Sequence, residues 1–191
     1  MTVFAGRVAY FSAALSVAAV LLRAAFYIWG RPFGTVSDIA TVCLGLSFIP
    51  LALAVRSLYR EANPGLGLLS LITGVLGGLG AATFETLLIF RQFSAAIEIA
   101  WLPAAAFAAT GVWLLTAAYL PRARRDVPKQ GGWLAALAAA GYLLLALGLV
   151  FIRHQRLLTL VGAFASAVGY PLCALWLGRF LLMYPTRRAS R

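Results

Sequence analysis

The chain alternates between long apolar segments and short polar linkers. Six of the apolar segments are long enough to cross a bilayer, because about 20 helical residues span its hydrocarbon core of roughly 30 Å. They lie at about residues 8–30, 36–58, 66–90, 96–120, 133–152 and 157–184. The linkers contain Gly, Pro and charged residues, which are typical of turns. The pattern predicts an all-α, polytopic bundle of six transmembrane helices, with residues 1–191 forming a single integral membrane domain.

The composition supports a membrane protein and changes how the net charge is interpreted. Hydrophobic residues make up 63% of the 191 residues and charged residues only 11%, whereas soluble domains contain about a quarter charged residues. A formal net charge of +11 would suggest nucleic-acid binding in a soluble protein. Here the basic residues lie mostly between apolar segments, so we expect contacts with anionic lipids and no nucleic-acid partner.

The distribution of Arg and Lys predicts the orientation. Ten basic residues lie in the linkers and the two termini at one end of the predicted helices, and four lie in the linkers at the other end. Because basic residues concentrate on the cytoplasmic side, both termini are predicted to be cytoplasmic. The loop at residues 121–132 and the Arg pair at 187–188 would then form a basic cytoplasmic face. The Arg-, Ala- and Leu-rich composition suggests a bacterial protein, and therefore the cytoplasmic, or inner, membrane.

One acidic residue lies inside a predicted helix. Glu85 precedes Arg91 by six residues, which places it about 9 Å inside the end of the third helix. That end is the helix C-terminus, where the macrodipole disfavours an anion. Since an ionised Glu is costly in lipid, we expect Glu85 to be protonated, paired or exposed to water.

Arg23 is the predicted partner of Glu85. It interrupts the first apolar segment at a similar depth, and both helices are predicted to run toward the outer side. The alternative is that Arg23 extends its long side chain to the outer headgroups. A buried Arg23–Glu85 pair would either form part of a binding site or only fix the register of the helices.

Small residues form a stripe along the third helix and lead to Glu85. The spacings are four, four, three and four residues, which place the whole set on one helix face. Gly74 and Gly78 form a GxxxG motif, which allows another helix to approach closely. The stripe therefore predicts a helix contact and directs Glu85 into the bundle; its members are Ser70, Gly74, Gly78, Ala81 and Glu85.

Three further polar residues are predicted near the outer ends of the helices. Ser37 and Asp38 fit an N-cap pair at the start of the second helix, and Glu98 falls in the first turn of the fourth. His154, the only histidine, is predicted to be solvated in an outer turn. The alternative is a pH-sensitive group beside Asp38 or Glu98. Asp38, Glu98 and His154 form a candidate outer polar cluster.

Three prolines fall inside predicted spans, at Pro50, Pro103 and Pro171. Each removes a backbone hydrogen-bond donor from its helix. Membrane helices tolerate such kinks, which is the first interpretation. The alternative is that residues 169–171 break the sixth helix and line a polar cavity.

No motif indicates catalysis or a bound cofactor. The chain has no GxSxG, Walker A, HExxH or Gly-rich dinucleotide motif, so the sequence argues against an enzyme without excluding one. One histidine cannot supply both axial ligands of a membrane b-type haem, and no Cys or carboxylate cluster is spaced for a metal. We therefore expect no cofactor, no metal site and no catalytic residue.

Two segments resemble parts of known sequences. Residues 48–69, FIPLALAVRSLYREANPGLGLL, contain a proline-bearing helix followed by a Tyr-Arg exit and a small loop. Residues 169–182, GYPLCALWLGRFLL, have the Pro, Trp and Leu-Gly-Arg of a last helix. With six spans, the chain resembles uncharacterised bacterial multipass proteins classed under domains of unknown function. The resemblance implies a six-helix bundle in the cell membrane and assigns no site residues.

Two functional hypotheses follow from these features. The first is a small transporter or ligand-binding membrane protein with an outward-facing polar site. Its residues would be Arg23, Glu85, Asp38 and Glu98. Alignment of Gly74 with Gly162 hints at a 3+3 inverted repeat, as in some transporters, although the match does not extend to the other helices. The alternative is a structural or assembly subunit, whose small-residue faces would bind another membrane protein or a second copy of the chain.

Overall fold

The structure is a computed structural model, which describes residues 2–60, 62–90, 101–151 and 156–189. It consists of six long helices. Each contains a segment long and apolar enough to cross a membrane. The predicted all-α, six-span architecture is confirmed, and the chain is a multi-pass membrane protein. The helices are α1 (Thr2–Trp29), α2 (Phe33–Tyr59), α3 (Pro64–Ile89), α4 (Leu102–Ala123), α5 (Lys129–Val150) and α6 (Arg156–Ala189).

The helices are arranged in a closed ring. Each helix packs against the next one in sequence, and α6 packs against α1 to complete the circle. Some residues of α2 also contact α4, whereas α1 and α3 do not pack against each other. Neighbouring helices are antiparallel, so α1 and α3 end where α2 and α4 begin. We call this the upper end of the bundle and the opposite one the lower end.

The ring is apolar outside and contains small and hydroxyl-bearing side chains inside. Large apolar residues such as Leu76 and Phe164 are exposed, whereas Ser12, Ser70 and Thr110 are buried. A water-soluble domain would instead cover its exterior with polar residues and keep exposed apolar patches small. The exposed apolar residues fit an exterior that faces lipid, and the buried small residues allow the helices to pack closely.

An aromatic cluster fills the centre of the ring. Phe48 of α2 lies between Trp113 of α4 and Tyr170 of α6, with ring centroids 5.2 and 5.3 Å apart. Tyr142 of α5 meets Tyr170 edge-on at 6.1 Å, and Ser12 of α1 hydrogen-bonds the Tyr170 hydroxyl. Side chains from five of the six helices therefore meet at this level and close the interior.

The prolines do not break the helices. α2 continues through Pro50 and α6 continues through Pro171. Because α6 is continuous and Tyr170 is buried in the aromatic cluster, the alternative of a break and a polar cavity at residues 169–171 is wrong, whereas the first interpretation, that these helices tolerate proline, agrees with the structure. Pro103 lies in the first turn of α4, which begins at Leu102, so this proline starts the helix. The first turn suits proline because its N–H would have no intrahelical acceptor.

Hydrogen bonds to backbone carbonyls hold the lower end. The Tyr59 hydroxyl donates to the carbonyl of Thr116 at 2.6 Å. Arg124 donates to the carbonyl of Leu58 at 3.0 Å and forms a two-pronged ion pair with Asp126 at 3.0 and 2.9 Å. Arg124 thus anchors the α4–α5 loop to the end of α2, and this arginine of the basic loop has a structural role.

Candidate functional site

Charged side chains from three helices meet near the upper end. Arg23 Nη2 of α1 lies 2.8 Å from Asp38 Oδ1 of α2 and 3.5 Å from Glu85 Oε1 of α3. The predicted contact between Arg23 and Glu85 is therefore present, and Asp38, which was expected in the same polar pocket, joins them through Arg23. We call these three residues the charged cluster.

The seam between α2 and α3 explains why the two carboxylates lie close together. The backbones of these helices are in contact where Gly45 meets Gly78, since a Cβ atom at Gly45 would lie 2.6 Å from the carbonyl oxygen of Gly78. Asp38 precedes Gly45 by seven residues and Glu85 follows Gly78 by seven. Seven residues are about two helical turns, so each carboxylate lies on the same face as its glycine. The charged cluster is thus the polar upper end of this glycine seam.

Two contacts bring α1 against this seam. The Ser37 hydroxyl donates to the carbonyl of Ala19 at 3.0 Å, and Gly34 packs so closely on Phe26 that a Cβ atom there would lie 2.9 Å from the ring. Arg23 is one turn after Ala19 and therefore lies on the helix face that meets α2. The helices α1 and α3 do not pack together. Arg23 connects them, because its side chain contacts Asp38 of α2 and also reaches Glu85 of α3.

The N-cap prediction for Ser37 and Asp38 is wrong. α2 begins at Phe33 after Pro32 and has no side-chain cap, so both residues lie inside the helix, beyond its first turn. A Ser-Asp pair before an apolar segment fits a local cap, but here both side chains have partners on other helices. In a membrane interior such interhelical partners satisfy polar groups that water cannot reach.

The charged cluster has more carboxylates than cations. The Asp38 and Glu85 side chains are 13% and 15% exposed, and that of Arg23 is 38% exposed. Glu85 Oε2 is buried and has no hydrogen-bond partner in the described part of the chain. If all three groups are ionised, one negative charge of the charged cluster has no countercharge among the described residues. The arrangement can therefore accept a proton, a small cation or a hydrogen-bond donor.

The predicted small-residue stripe faces α2. A Cβ atom at Gly74 would lie 2.6 Å from the Ala52 Cβ, and Gly78 meets Gly45 as described above. Ser70 is fully buried, whereas Ala81 is only half-buried. The stripe of Ser70, Gly74, Gly78 and Ala81 accordingly marks a helix contact along most of its length.

A second glycine face of α3 was missed by the sequence analysis. Gly77 packs against Thr110, and a Cβ atom at Gly80 would lie 3.1 Å from the Ala106 Cβ. Both contacts are with α4. A signal is present in the sequence, because Gly77 and Gly80 are three residues apart and share a helix face, but they do not form a GxxxG motif.

The remaining members of the predicted outer polar cluster cannot be placed beside Arg23. Glu98 and His154 lie outside the described residues. In the ranges that are described, no group of three or more His, Cys, Asp or Glu residues is arranged to hold a metal ion. The candidate site is therefore built from Arg23, Asp38 and Glu85.

Comparisons with known proteins add no assignment to this geometry. No family model, no curated protein and no solved structure matches the chain. The family resemblance expected from residues 48–69 and 169–182 thus stays a prediction, and the function has to be argued from the charged cluster itself.

Proposed function

We propose that the protein is a small transporter or ligand-binding membrane protein whose polar site is the charged cluster. The observation that carries this proposal is the sharing of one arginine by two carboxylates. One buried oxygen, Glu85 Oε2, has no hydrogen-bond partner in the part of the chain that the structure describes. Ionisable residues inside a membrane bundle are costly, and in membrane proteins they commonly line substrate and ion pathways. The excess negative charge favours a ligand that carries a cationic or hydrogen-bond-donating group.

The position of the charged cluster supports an outward-facing site. It lies at the upper end, which the arginine and lysine count predicts to be outside the cytoplasmic membrane of a bacterium. The Asp38 and Glu85 side chains keep 13% and 15% exposure, so their carboxylates are the acceptors that a cationic or hydrogen-bond-donating group of the ligand would reach.

Replacing Glu85 with the uncharged glutamine tests the proposal. The purified chain would be screened by thermal unfolding in detergent against small ammonium and guanidinium compounds, NaCl and KCl at matched ionic strength. We expect at least one of these probes to stabilise the unaltered protein. The Glu85→Gln variant, which keeps the shape but removes the charge, should bind that probe about tenfold less tightly or worse. Flux into proteoliposomes would then separate transport from binding.

Asp126→Asn is the matched control because it removes the same charge from a carboxylate at the lower end that is paired with Arg124. The control should respond to the probe as the unaltered protein does. An equal response from the Glu85→Gln variant, or no response of the unaltered protein to any probe, would contradict the proposal.

The alternative function is a structural or assembly subunit. It is favoured by one observation: α1 and α3 do not pack together, so Arg23 could serve only to tie them through Asp38 and Glu85. In that case Glu85→Gln would lower the unfolding temperature without any probe present, and a second chain would co-purify in mild detergent. Purification as a lone monomer would count against this alternative.

A further inference from the structure

A groove at the lower end combines a basic zone with an apolar zone. It has a volume of 520 Å³ and lies between the last turns of α2 and the first turns of α3. The two arginines of the lining are one turn apart, so they share a helix face. The lining residues are Leu53, Arg56, Ser57, Arg60, Pro64 and Leu68.

The basic zone has cationic groups available to a ligand. Arg56 and Arg60 are exposed, and the ion pairs among the described residues involve neither of them. α3 begins beside them at Pro64, which has no N–H. The Leu66 N–H donates to the Asn63 side chain at 3.0 Å and the Gly67 N–H to the Asn63 carbonyl at 3.1 Å. Among the described residues, the N–H of Gly65 is therefore the one left without an acceptor at this helix start. The start of a helix carries a partial positive charge and N–H groups without intrahelical acceptors. Two guanidinium groups and a helix start therefore present positive charge to the same groove.

The apolar zone extends from these charges along the surface that faces lipid. Leu68 is 49% exposed, and Leu53 lies one turn before Ser57 on α2. Both leucines belong to helices that span the membrane, so the groove is open to the bilayer. An occupant that meets both zones must have an anionic end and an apolar chain.

We propose that this groove binds one anionic glycerophospholipid. Its phosphate lies between Arg56 and Arg60 at the start of α3, and an acyl chain follows Leu53 and Leu68. Charge complementarity and the two-zone lining favour this occupant over a free anion, which would leave the apolar zone unused. The inference is independent of the proposed function, because the charged cluster lies at the other end of the bundle.

A lipid titration with matched charge variants tests the site. The full chain in detergent would receive dioleoyl phosphatidylglycerol or dioleoyl phosphatidylcholine, with bound lipid counted by native mass spectrometry and stability followed by thermal unfolding. We expect phosphatidylglycerol to bind as one retained molecule and to raise the unfolding temperature. Substituting both arginines, Arg56→Gln and Arg60→Gln, should weaken its binding by about tenfold or more.

The control removes two arginines from the same end without touching the groove. Arg7 and Arg125 are both exposed and neither lines it, so the Arg7→Gln/Arg125→Gln variant should keep the binding. Equal weakening in both double variants would mean general surface attraction and would overturn the proposal, as would unchanged binding in the Arg56/Arg60 variant.

A further measurement distinguishes binding of a lipid from binding of a free anion. Sodium phosphate at matched ionic strength should not reproduce the stabilisation, and a full effect from phosphate alone would overturn the lipid assignment. Phosphatidylcholine should give the same unfolding temperature for all variants, which verifies folding. If the double variant does not fold, Arg60→Gln alone should still weaken phosphatidylglycerol binding, and unchanged binding there would overturn the proposal.

Discussion

Ser37 and Ser70 are both buried, but their hydroxyls differ in hydrogen bonding. That of Ser37 donates to α1, whereas that of Ser70 has no partner in the described part of the chain. A buried polar atom without a partner costs free energy, while a satisfied one contributes modestly. Two serines of equal burial therefore have opposite expected effects on stability.

Alanine substitutions at these two serines should separate the effects. Ser37→Ala should lower the free energy of unfolding by about 1 kcal/mol, because the hydrogen bond between α1 and α2 is lost. Ser70→Ala removes an unsatisfied hydroxyl and should leave stability unchanged or raise it. Unfolding of both variants by titration of denaturing detergent into mild micelles measures the difference. Equal losses in the two variants would contradict the expected difference between the hydrogen-bonded and the unpartnered hydroxyl.

At the scale of elements, α3 packs through glycine on two sides. Gly78 faces Gly45 of α2, and Gly77 faces Thr110 of α4. Neither position has room for a methyl group without moving a neighbouring helix. Since Glu85 lies on the same face as Gly78, the α2–α3 distance also determines how closely the carboxylates approach Arg23.

Adding one methyl group at Gly78 should therefore damage both packing and the charged cluster. Gly78→Ala is expected to lower the free energy of unfolding by about 1–3 kcal/mol, because the new Cβ meets the backbone of Gly45. Gly65→Ala is the control, since a Cβ atom there would meet only Asn63 Oδ1 at an ordinary 3.5 Å. Thermal unfolding of both variants measures the effect. A Gly78→Ala variant as stable as the control would contradict the observed close approach.

The sequence predicted the helices better than it predicted which side chains contact one another. The six apolar segments marked the helices because length and hydropathy are local properties, and helix depth alone was enough to pair Arg23 with Glu85. The cap predicted at Asp38 is wrong because the apolar pattern places the helix start at residue 36, three residues after Phe33. The role of Arg124 as a topology marker stays a prediction, and nothing local in the sequence indicates that its side chain also donates to the carbonyl of Leu58. In both cases the missed contact joins residues far apart in the chain.

At the scale of the whole molecule, the closed ring leaves two chemically different ends. The upper end holds the charged cluster, and the lower end holds the exposed arginines and the lipid groove. The excess of basic residues at the lower end predicts that it faces the cytoplasm. The proposed site and the proposed lipid would then contact opposite sides of the membrane.

Cysteine labelling tests this orientation. Thr35 at the upper end and Ala62 at the lower end are both exposed. In intact spheroplasts, a membrane-impermeant maleimide should label the Thr35→Cys variant, and it should label the Ala62→Cys variant only after permeabilisation. The unaltered chain, with Cys43 and Cys173, measures the background. Labelling of Ala62→Cys before permeabilisation would reverse the predicted topology.

Closure of the ring by α6 has a consequence for the order of assembly during synthesis. The charged cluster uses only α1, α2 and α3, so it can form once the first half of the chain has entered the membrane. The hydrogen bond between Ser12 and Tyr170, and the contact of Gly6 with Gly178, must wait for α6. Until then α1 lacks one of its two neighbours, and lipid or a membrane chaperone has to cover the face that α6 later occupies.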